Sequence, residues 1–447
     1  MSLDRRLFLK GSLAAGAGFA VTGSPSIAVA QPWYVIPSGL PTVQLYTDET
    51  SAQFKVLIDP AVEIEYVVTA SDSSKPVIDR AFPVRNPYNA GEAIEHLYVT
   101  GLNIKATYTL KMYNRATGAE VDARTFNALD TRKPNGRFAL VSCMLDLLLP
   151  IQAYMWQAME DAKVDVIFII GDTSYTDALG GDVTLEIIWN RHFQSRRAID
   201  LYWFKHLKPV IASWDDHDYG GNNSDRTSPL NGRTKEVFKA MWGWTPHGTS
   251  QEGPGVATAL ELFGQRFFLM DDRTWRDPYE ANNGLQWGVD QETWLLTNLM
   301  RDARPAWILN GSQFFGAYLN KDSFEQRHPY QFRNLINHLR SVEAPVMFGS
   351  GDIHFSEIMR IEKEQLGYET IEITSSSMHS LTTPWINTRH TNPRRVDTTW
   401  HYNFVVAQGD ATQNGRFKFR TISVGKGLRV YFDRGGTIIR TSKAAIR

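Results

Sequence analysis

The sequence lacks paired cysteines, an excess of charge of either sign, and long apolar runs. Its 447 residues contain one cysteine, Cys143, so an internal disulfide framework is excluded. Lysine and arginine number 47 and acidic residues 48, a formal net charge of -1, and this balance carries no nucleic-acid-binding signature. After the first 30 residues, no stretch is long and apolar enough to span a membrane.

The overall composition is that of a soluble globular protein. Hydrophobic residues make up 43% of the chain and charged residues 21%, values that exclude disordered and fibrous classes. A chain of this length can bury a large core, and its length favours two or three domains.

Residues 1–30 are predicted to be an export signal rather than part of the fold. Arg5 and Arg6 precede a weakly apolar, Ala/Gly-rich stretch that ends in small residues at Ala28–Ala30. This order is typical of a twin-arginine signal peptide cleaved after Ala30. We therefore expect the twin-arginine export machinery to handle the chain, and the mature protein to be periplasmic or secreted.

Two regions with different patterns of apolar residues follow the signal. Residues 31–130 contain short, partly alternating runs such as SAQFKVLID and ATYTLKMYN between turn-rich segments, which predict a small fibronectin III-like β-sandwich domain. TRKPNG, residues 131–136, is the predicted linker. Residues 137–447 alternate apolar strands with amphipathic helices and end in β-hairpins, which predicts a second domain of the α/β class.

Polar side chains able to bind metals follow six of the predicted apolar strands. These residues are Cys143; Asp172 and Tyr175; Asp215, Asp216, His217 and Asp218; Asp271 and Asp272; Asn310; and Asp352 and His354. Each one alone is compatible with an ordinary turn, and Cys143 with an inert buried thiol. In α/β sheets, however, ligands gather beyond the carboxyl ends of the strands, so the recurrence predicts one shared site.

The residue types at these strand ends indicate which metals the site would bind. Carboxylate and amide oxygens suit Ca²⁺, Mg²⁺ or Mn²⁺, whereas thiolate, imidazole and phenolate suit a transition metal. Because the sequence has no cysteine pair, a structural zinc site is disfavoured. The mixed set predicts a polynuclear hydrolytic centre.

Several of these blocks together resemble a known family. GDTSY, residues 171–175, is similar to the G-D-x-x-Y block of the purple acid phosphatases. The combination of SC, GDTSY, WDDHDYGGNN, LMDDRTWRD, DQETWL and GDIH resembles the alkaline phosphatase D (PhoD-like) family of the calcineurin-like metallophosphoesterase superfamily. That resemblance implies twin-arginine export, an N-terminal β-sandwich and a catalytic domain built as a metallophosphoesterase-type αββα sandwich.

The resemblance also implies a site for ferric iron. Cys143, Asp172, Tyr175 and His354 match the positions that surround the iron, and Asp172 matches the residue that bridges to a second metal. Thr176 and Asp218 depart from the pattern, since the family commonly has Glu at both positions.

The second metal site implied by the resemblance is rich in oxygen ligands. Asp216 and Asp352 stand where related enzymes place an Asn and a His, and this substitution fits calcium, with other divalent metals possible. Asp215, Asn222 and Asn223 are further candidates, either as calcium ligands or as supports for the ligands.

These assignments predict hydrolysis of a small-molecule phosphate ester by a metal-activated hydroxide. His217 is expected to donate a proton to the leaving alcohol or to hydrogen-bond the phosphoryl group, with Asp218 orienting its ring. Two interpretations of Arg273 stay open: contact with the phosphate, or an ion pair with Asp271.

Alternative functions use the same centre. A phosphodiesterase or a phospholipase D-like hydrolase would use the same metals, and the sequence does not distinguish monoesters from diesters. An exported metal-binding protein without catalysis, and an oxidoreductase that uses the iron, are further alternatives; the full set of ligand types and the carboxylate-rich second site disfavour them.

Overall fold

The computed structural model describes residues 38–440, apart from 148, 244–248, 251–254, 280, 282, 317, 319–321, 390–391 and 413–415. The predicted signal peptide, residues 1–30, lies outside the described residues. Among the residues described, no helix combines the length and the apolarity needed to cross a membrane.

Two antiparallel sheets occupy the N-terminal region. Their strands are β1 Thr42–Thr47, β2 Ser51–Ile58, β3 Ile64–Ala70, β4 Val77–Arg80, β5 Val84–Asn86, β6 Asn89–Thr100, β7 Thr107–Asn114 and β8 Glu120–Asn127. One sheet has the order β1-β2-β6-β4 with β5 also paired to β6, and the other has the order β3-β7-β8.

Side-chain alternation explains why the β3 segment forms a strand. In β3, Ile64 and Tyr66 are buried whereas Glu65 and Val67 are exposed, the two-residue period of a strand with one face on a core.

Two larger sheets form the rest of the described chain. Their strands are β9 Arg137–Val141, β10 Val166–Ile170, β11 Val210–Ser213, β12 Thr249–Ser250, β13 Thr258–Leu262, β14 Gln265–Leu269, β15 Ala306–Leu309, β16 Val346–Ser350, β17 Ser356–Ile361, β18 Thr370–Thr374, β19 Arg395–Thr399, β20 Phe404–Thr412, β21 Arg416–Gly425 and β22 Arg429–Ile439. The six-stranded sheet has the order β11-β10-β9-β20-β21-β22, and the eight-stranded sheet has the order β12-β13-β14-β15-β16-β18-β17-β19.

Helices connect many of these strands. The α-helices are α1 Leu149–Asp161, α2 Leu185–Ala198, α3 Asp216–Tyr219, α4 Thr234–Trp242, α5 Val289–Leu299, α6 Phe324–Arg327, α7 Pro329–Leu339, α8 Lys363–Leu366 and α9 Pro384–Arg389, with 3-10 turns at Asp200–Trp203 and Lys426–Leu428. Strands β9, β10 and β11 are parallel, as are β14, β15, β16 and β18. Helical crossovers suit such parallel pairings.

The two larger sheets contact each other through aromatic side chains. The ring of Phe138 in β9 lies 5.0 Å from that of Phe267 in β14 and 5.3 Å from that of Trp307 in β15. Their carboxyl ends meet as well, because Ser213 Oγ at the end of β11 donates to the Met270 carbonyl after β14 at 2.8 Å. The polar residues that follow both sets of parallel strands are thereby brought to one place.

The structure confirms the α/β class and the six apolar strands that precede the polar residues, which are β9, β10, β11, β14, β15 and β16. Several strands were not predicted, among them β4, β5, β17, β18 and β19. Strands β17 and β18 carry the buried acids Glu357 and Glu372, which break the apolar pattern expected of buried strands.

Candidate metal centre

The strand ends bring most of the predicted ligands into three overlapping groups. The groups are Cys143, Asp172 and His354; Asp172, Asp216 and His217; and Asp215, Asp216 and Asp352, and within each group the donor atoms lie within 4.8 Å of one another. Asp172 and Asp216 each belong to two groups, as expected of residues located between neighbouring metal ions.

The predicted iron ligands lie in contact. The Tyr175 hydroxyl donates to Asp172 Oδ2 at 3.1 Å and lies 3.3 Å from His354 Nε2. Burial raises the pKa of the Cys143 thiol and of the Tyr175 phenol, and the negative charge of Asp172 raises both further. A bound cation would lower both pKa values and release both protons, so the thiol and the phenol suit a metal ion that is a strong Lewis acid.

Asp216 is the centre of the oxygen-rich part of the cluster. Its Oδ2 accepts from the Asn223 backbone N–H at 2.6 Å, and its Oδ1 accepts from the His217 backbone N–H at 2.9 Å. Burial alone would raise the pKa of Asp216, but the positive charges of His217 and Arg273 and these backbone donors lower it. The side-chain oxygen of Asn223 lies 3.5 Å from the Tyr279 hydroxyl, and its role as a metal ligand stays a prediction.

Unpartnered oxygens show that the cluster fits a cation. Asp172 Oδ1 and Asp215 Oδ2 are both buried and accept no hydrogen bond. Burial is the largest cause that raises the pKa of each of these carboxyl groups. A buried carboxylate oxygen without a donor is costly, and a metal ion at this position would remove that cost.

Backbone conformation also distinguishes these positions. Cys143, Asp172, Asn223, Asp352 and His354 have φ angles of 59°, 55°, 59°, 63° and 61°. These five are half of the ten non-glycine residues with positive φ in the described part of the chain. Such left-handed conformations are uncommon outside glycine and cluster at functional sites.

Two glycines make room for Asp215. A Cβ atom added to Gly171 would lie 2.5 Å from Asp215 Cβ, and one added to Gly311 would lie 2.5 Å from Asp215 Cγ. Gly171 also has a φ of 108°, which side chains rarely adopt. The glycine before Asp172 therefore allows two strand ends to approach each other closely.

His217 stacks on Tyr175 and is held by a carboxylate. The two rings lie 4.2 Å apart at an interplanar angle of 30°, and His217 Nδ1 lies 2.6 Å from Asp177 Oδ1. Burial alone would lower the pKa of His217, but the charges of Asp216, Asp172 and Asp177 outweigh it and raise the pKa to about 10.

Asp218 does not orient His217, so that expectation was wrong. Its two oxygens accept from the N–H groups of Thr173, Ser174 and Asp215, at 3.1, 2.9 and 3.1 Å, and from Thr173 Oγ1 at 2.6 Å. These contacts join the loop after β10 to the first turn of α3. Asp218 occupies the usual position of a capping carboxylate in that turn. Asp218 thereby fixes both loops that carry the ligands.

Arg273 is fully buried in ion pairs, although not with the predicted partner. Its Nε lies 2.5 Å from Asp215 Oδ1 and 3.4 Å from Asp272 Oδ1. Arg273 contacts the Asp271 carboxylate through its backbone N–H, at 3.0 Å, and not through its guanidinium, so the alternative of an Arg273–Asp271 ion pair was wrong. The Arg273 side chain has no exposed surface, and its positive charge offsets part of the negative charge of the buried acids.

Comparison with known proteins identifies the family. The model of the PhoD-like phosphatases matches residues 138–420. The chain belongs to the PhoD-like phosphatase family. It is also similar to alkaline phosphatase D of Bacillus subtilis (strain 168), with 24% identity over an aligned length of 432; the alignment covers 79% of this chain and 72% of that protein. The family resemblance expected from the strand-end blocks is confirmed, and the protein is a hydrolase of phosphoric esters.

Asp177 of this PhoD-like phosphatase contacts the candidate site but was not predicted from the sequence. Its Oδ1 contacts His217, and its Oδ2 accepts from the Asn222 backbone N–H at 2.8 Å. The sequence did offer a signal: the family commonly has Glu at the position of Thr176, and this chain has an acid at the next position. A one-residue shift of the carboxylate along the loop supplies the orienting contact that we assigned to Asp218.

Two further strand-end acids, Asp271 and Asp272, belong to none of the three ligand groups found among the described residues. Asp271 accepts from Thr274 Oγ1 at 2.7 Å, and Asp272 accepts from Ser312 Oγ at 2.8 Å. Asn310 donates to Asp272 Oδ2 at 3.1 Å. In this PhoD-like phosphatase, these residues join neighbouring strand ends to one another.

Proposed function

We propose that this chain is an exported, metal-dependent phosphoesterase that hydrolyses small phosphate esters by activating water. The observation that carries the proposal is the unpartnered oxygen of Asp172, a residue shared by two of the three ligand groups. A buried acid that has one oxygen without a donor and belongs to two groups is suited to bridge two cations.

The proposed metals are ferric iron and calcium, with other divalent ions possible at the second site. Cys143, Asp172, Tyr175 and His354 would hold the iron, because thiolate, phenolate and imidazole favour a transition metal. Asp215, Asp216, Asn223 and Asp352 would hold calcium together with Asp172, because oxygen donors favour hard ions. When bound, the metals supply activation of water and neutralisation of phosphate charge.

His217 is the proposed proton donor to the leaving alcohol, or hydrogen-bond donor to the phosphoryl group. Asp177 engages Nδ1, so Nε2 is the atom left to carry the transferable proton. Arg273 keeps the buried acids tolerable through its ion pair with Asp215, and it is not proposed to contact substrate.

The finer architecture belongs to this proposal. We propose a twin-arginine signal at 1–30, a fibronectin III-like β-sandwich at 31–130 and a metallophosphoesterase-type αββα domain at 137–447. The two antiparallel N-terminal sheets and the aromatic contacts between the two larger sheets support this division. Fusion of residues 1–30 to a reporter that is active only after folded export would test the signal, and retention in the cytoplasm would contradict it.

The decisive experiment uses the untagged protein from an export-competent host. We expect a coloured preparation that contains iron and calcium, because thiolate or phenolate bound to ferric iron absorbs visible light. Hydrolysis of p-nitrophenyl phosphate and of its bis-ester, with and without chelator, assigns monoesterase or diesterase activity. A colourless, metal-poor and inactive preparation would overturn both the metals and the function.

A further inference from the structure

Three loops around the metal centre expose large apolar side chains. Leu147, Leu179, Leu381 and Trp385 are 45%, 63%, 48% and 51% exposed, and we call these four residues the apolar rim. Single exposed apolar residues are common on protein surfaces, but a group gathered around a polar site indicates a binding surface.

Each residue of the apolar rim lies, along the chain, within four residues of a candidate ligand or of a residue that contacts one. Leu147 follows Cys143 by four residues, and Leu179 follows Tyr175 by four residues. Leu381 is next to Ser380, whose Oγ lies 3.0 Å from the Tyr175 hydroxyl.

The fourth residue, Trp385, lies in the first turn of helix α9, which directly continues the loop of Leu381. Thr383, two residues before Trp385, donates its backbone N–H to the His354 carbonyl at 3.2 Å. Two contacts join the loops to one another: Arg191 Nε donates to the Tyr175 carbonyl at 3.1 Å while its guanidinium pairs with Asp146, and His379 Nδ1 lies 3.0 Å from the Leu145 carbonyl. The apolar rim is therefore carried by connected loops.

Other exposed residues on the loops of the centre are polar. Asn222, Asn223 and Arg226 are exposed in the loop after α3, and Asp182 is exposed after Leu179. Four apolar side chains among polar ones match part of a small molecule better than a membrane surface or a protein partner, which would require a larger apolar area.

We infer that the apolar rim binds the alcohol portion of the substrate, so that the enzyme prefers phosphate esters of alkyl or aryl alcohols. This inference rests on the proposed function. The phosphoryl group must reach the carboxylates and the stacked His217, so the alcohol portion extends outward past the loops that carry the rim. Removal of its apolar surface from water would then contribute to binding.

A series of alkyl phosphates tests the inference on the metal-loaded enzyme. We measure kcat and KM for ethyl, butyl, hexyl and octyl phosphate below their micelle concentrations. We expect kcat/KM to rise with chain length, mainly through KM, by roughly twofold or more per methylene, since burial of a full methylene corresponds to about fourfold. The double variant Leu179→Ser, Trp385→Ser should flatten this dependence, with a much larger loss of kcat/KM for octyl phosphate than for ethyl phosphate.

Phe82→Ser is the matched control. Phe82 is 96% exposed in the N-terminal region, so the variant loses an exposed apolar side chain without touching the rim. We expect it to keep the full chain-length dependence, and we expect equal unfolding midpoints for all variants because the substituted side chains are exposed.

Each other outcome overturns the inference. If wild-type kcat/KM is independent of chain length, or if the dependence survives in the double variant, the rim does not bind the alcohol. If the double variant instead loses co-sedimentation with phosphatidylcholine vesicles while the ester series is flat, the rim binds membranes. Absence of hydrolysis of every ester overturns the proposed function as well, whereas ethyl phosphate hydrolysis with a flat series overturns only the inference.

Discussion

Two sets of buried carboxylates in this molecule differ in what surrounds them. Glu357 in β17 accepts from Gln313 Nε2 at 2.9 Å, from the Tyr318 hydroxyl at 2.6 Å and from Arg395 Nε at 2.8 Å. By contrast, Asp172 keeps one buried oxygen without any donor.

Glu372 in β18 repeats the satisfied pattern. It accepts from Ser350 Oγ at 2.6 Å and from the backbone N–H groups of Phe314 and Phe315 at 2.9 Å each. All these acids are buried within the same pair of sheets, so burial alone does not mark a metal site. The supply of donors separates acids that stabilise the fold from acids that require a cation.

The largest expected effect comes from a change of Asp172 to Asn. We expect hydrolysis to fall on the order of 10³-fold or more, with loss of bound metal, because the bridging charge is gone. Activity assays and metal analysis of the purified variant measure both. Glu357→Gln is the control, since its carboxylate is satisfied by the protein, and it should keep its metals; an active, fully metallated Asp172→Asn variant would contradict the comparison.

Removal of metal should also affect stability selectively. If the cations balance the unpartnered acids, a chelator should lower the unfolding midpoint of the wild-type protein by an amount that corresponds to about 4 kcal/mol for sites filled a thousandfold above Kd. The Asp172→Asn variant should show little shift, because it begins without metal. Calorimetry with and without chelator measures both midpoints, and equal shifts in the two proteins would argue against the site.

Glu372 provides a pH-dependent test of the satisfied set. Burial raises its pKa to about 7 from an ordinary 4.5, despite the donors. Between pH 4.5 and 7, the folded protein therefore holds a proton on Glu372 that the unfolded chain releases. The contribution of Glu372 to the free energy of unfolding is full below pH 4.5 and is lost as the pH rises through 7. This contribution is about 3 kcal/mol in all.

Glu372→Gln should flatten that part of the profile while metal content stays unchanged. Denaturant unfolding at several pH values measures the slope for the variant and the wild type. Identical slopes in the two proteins would show that Glu372 does not hold the proton.

The smallest expected effect concerns Asp177. Asp177→Asn should lower kcat by roughly tenfold to a hundredfold with metals retained, because His217 loses the partner that fixes its ring. The pKa of His217 should fall as well, since Asp177 is one of the charges that raise it. An NMR titration of His217 in the metal-free protein measures that shift; Asp177→Glu should restore part of the activity, and no change in either variant would exclude a positioning role.

The position of the candidate site was predictable from the sequence, because apolar runs that stop at Asp or Cys indicate buried strands. The carboxyl ends of such strands meet at one edge of the sheets, which brings the residues that follow them together. The contact between Asp177 and His217 was not predictable, because it joins loops 40 residues apart and depends on side-chain direction rather than on spacing. Strands β17 and β18 were missed for a related reason. Their buried acids look like surface residues until the donors, which come from distant segments, are placed around them.

The left-handed backbone at Cys143, Asp172, Asn223, Asp352 and His354 has a consequence for redesign. At these positions the main chain itself restricts which amino acids are accepted, because a side chain in the left-handed conformation costs about 1–2 kcal/mol. A directed-evolution library aimed at new metal preference would gain more from Asp216, which is the first residue of helix α3 and is not among the residues with positive φ. The enzyme would then acquire new cofactor chemistry through a single position while the surrounding main chain kept its geometry.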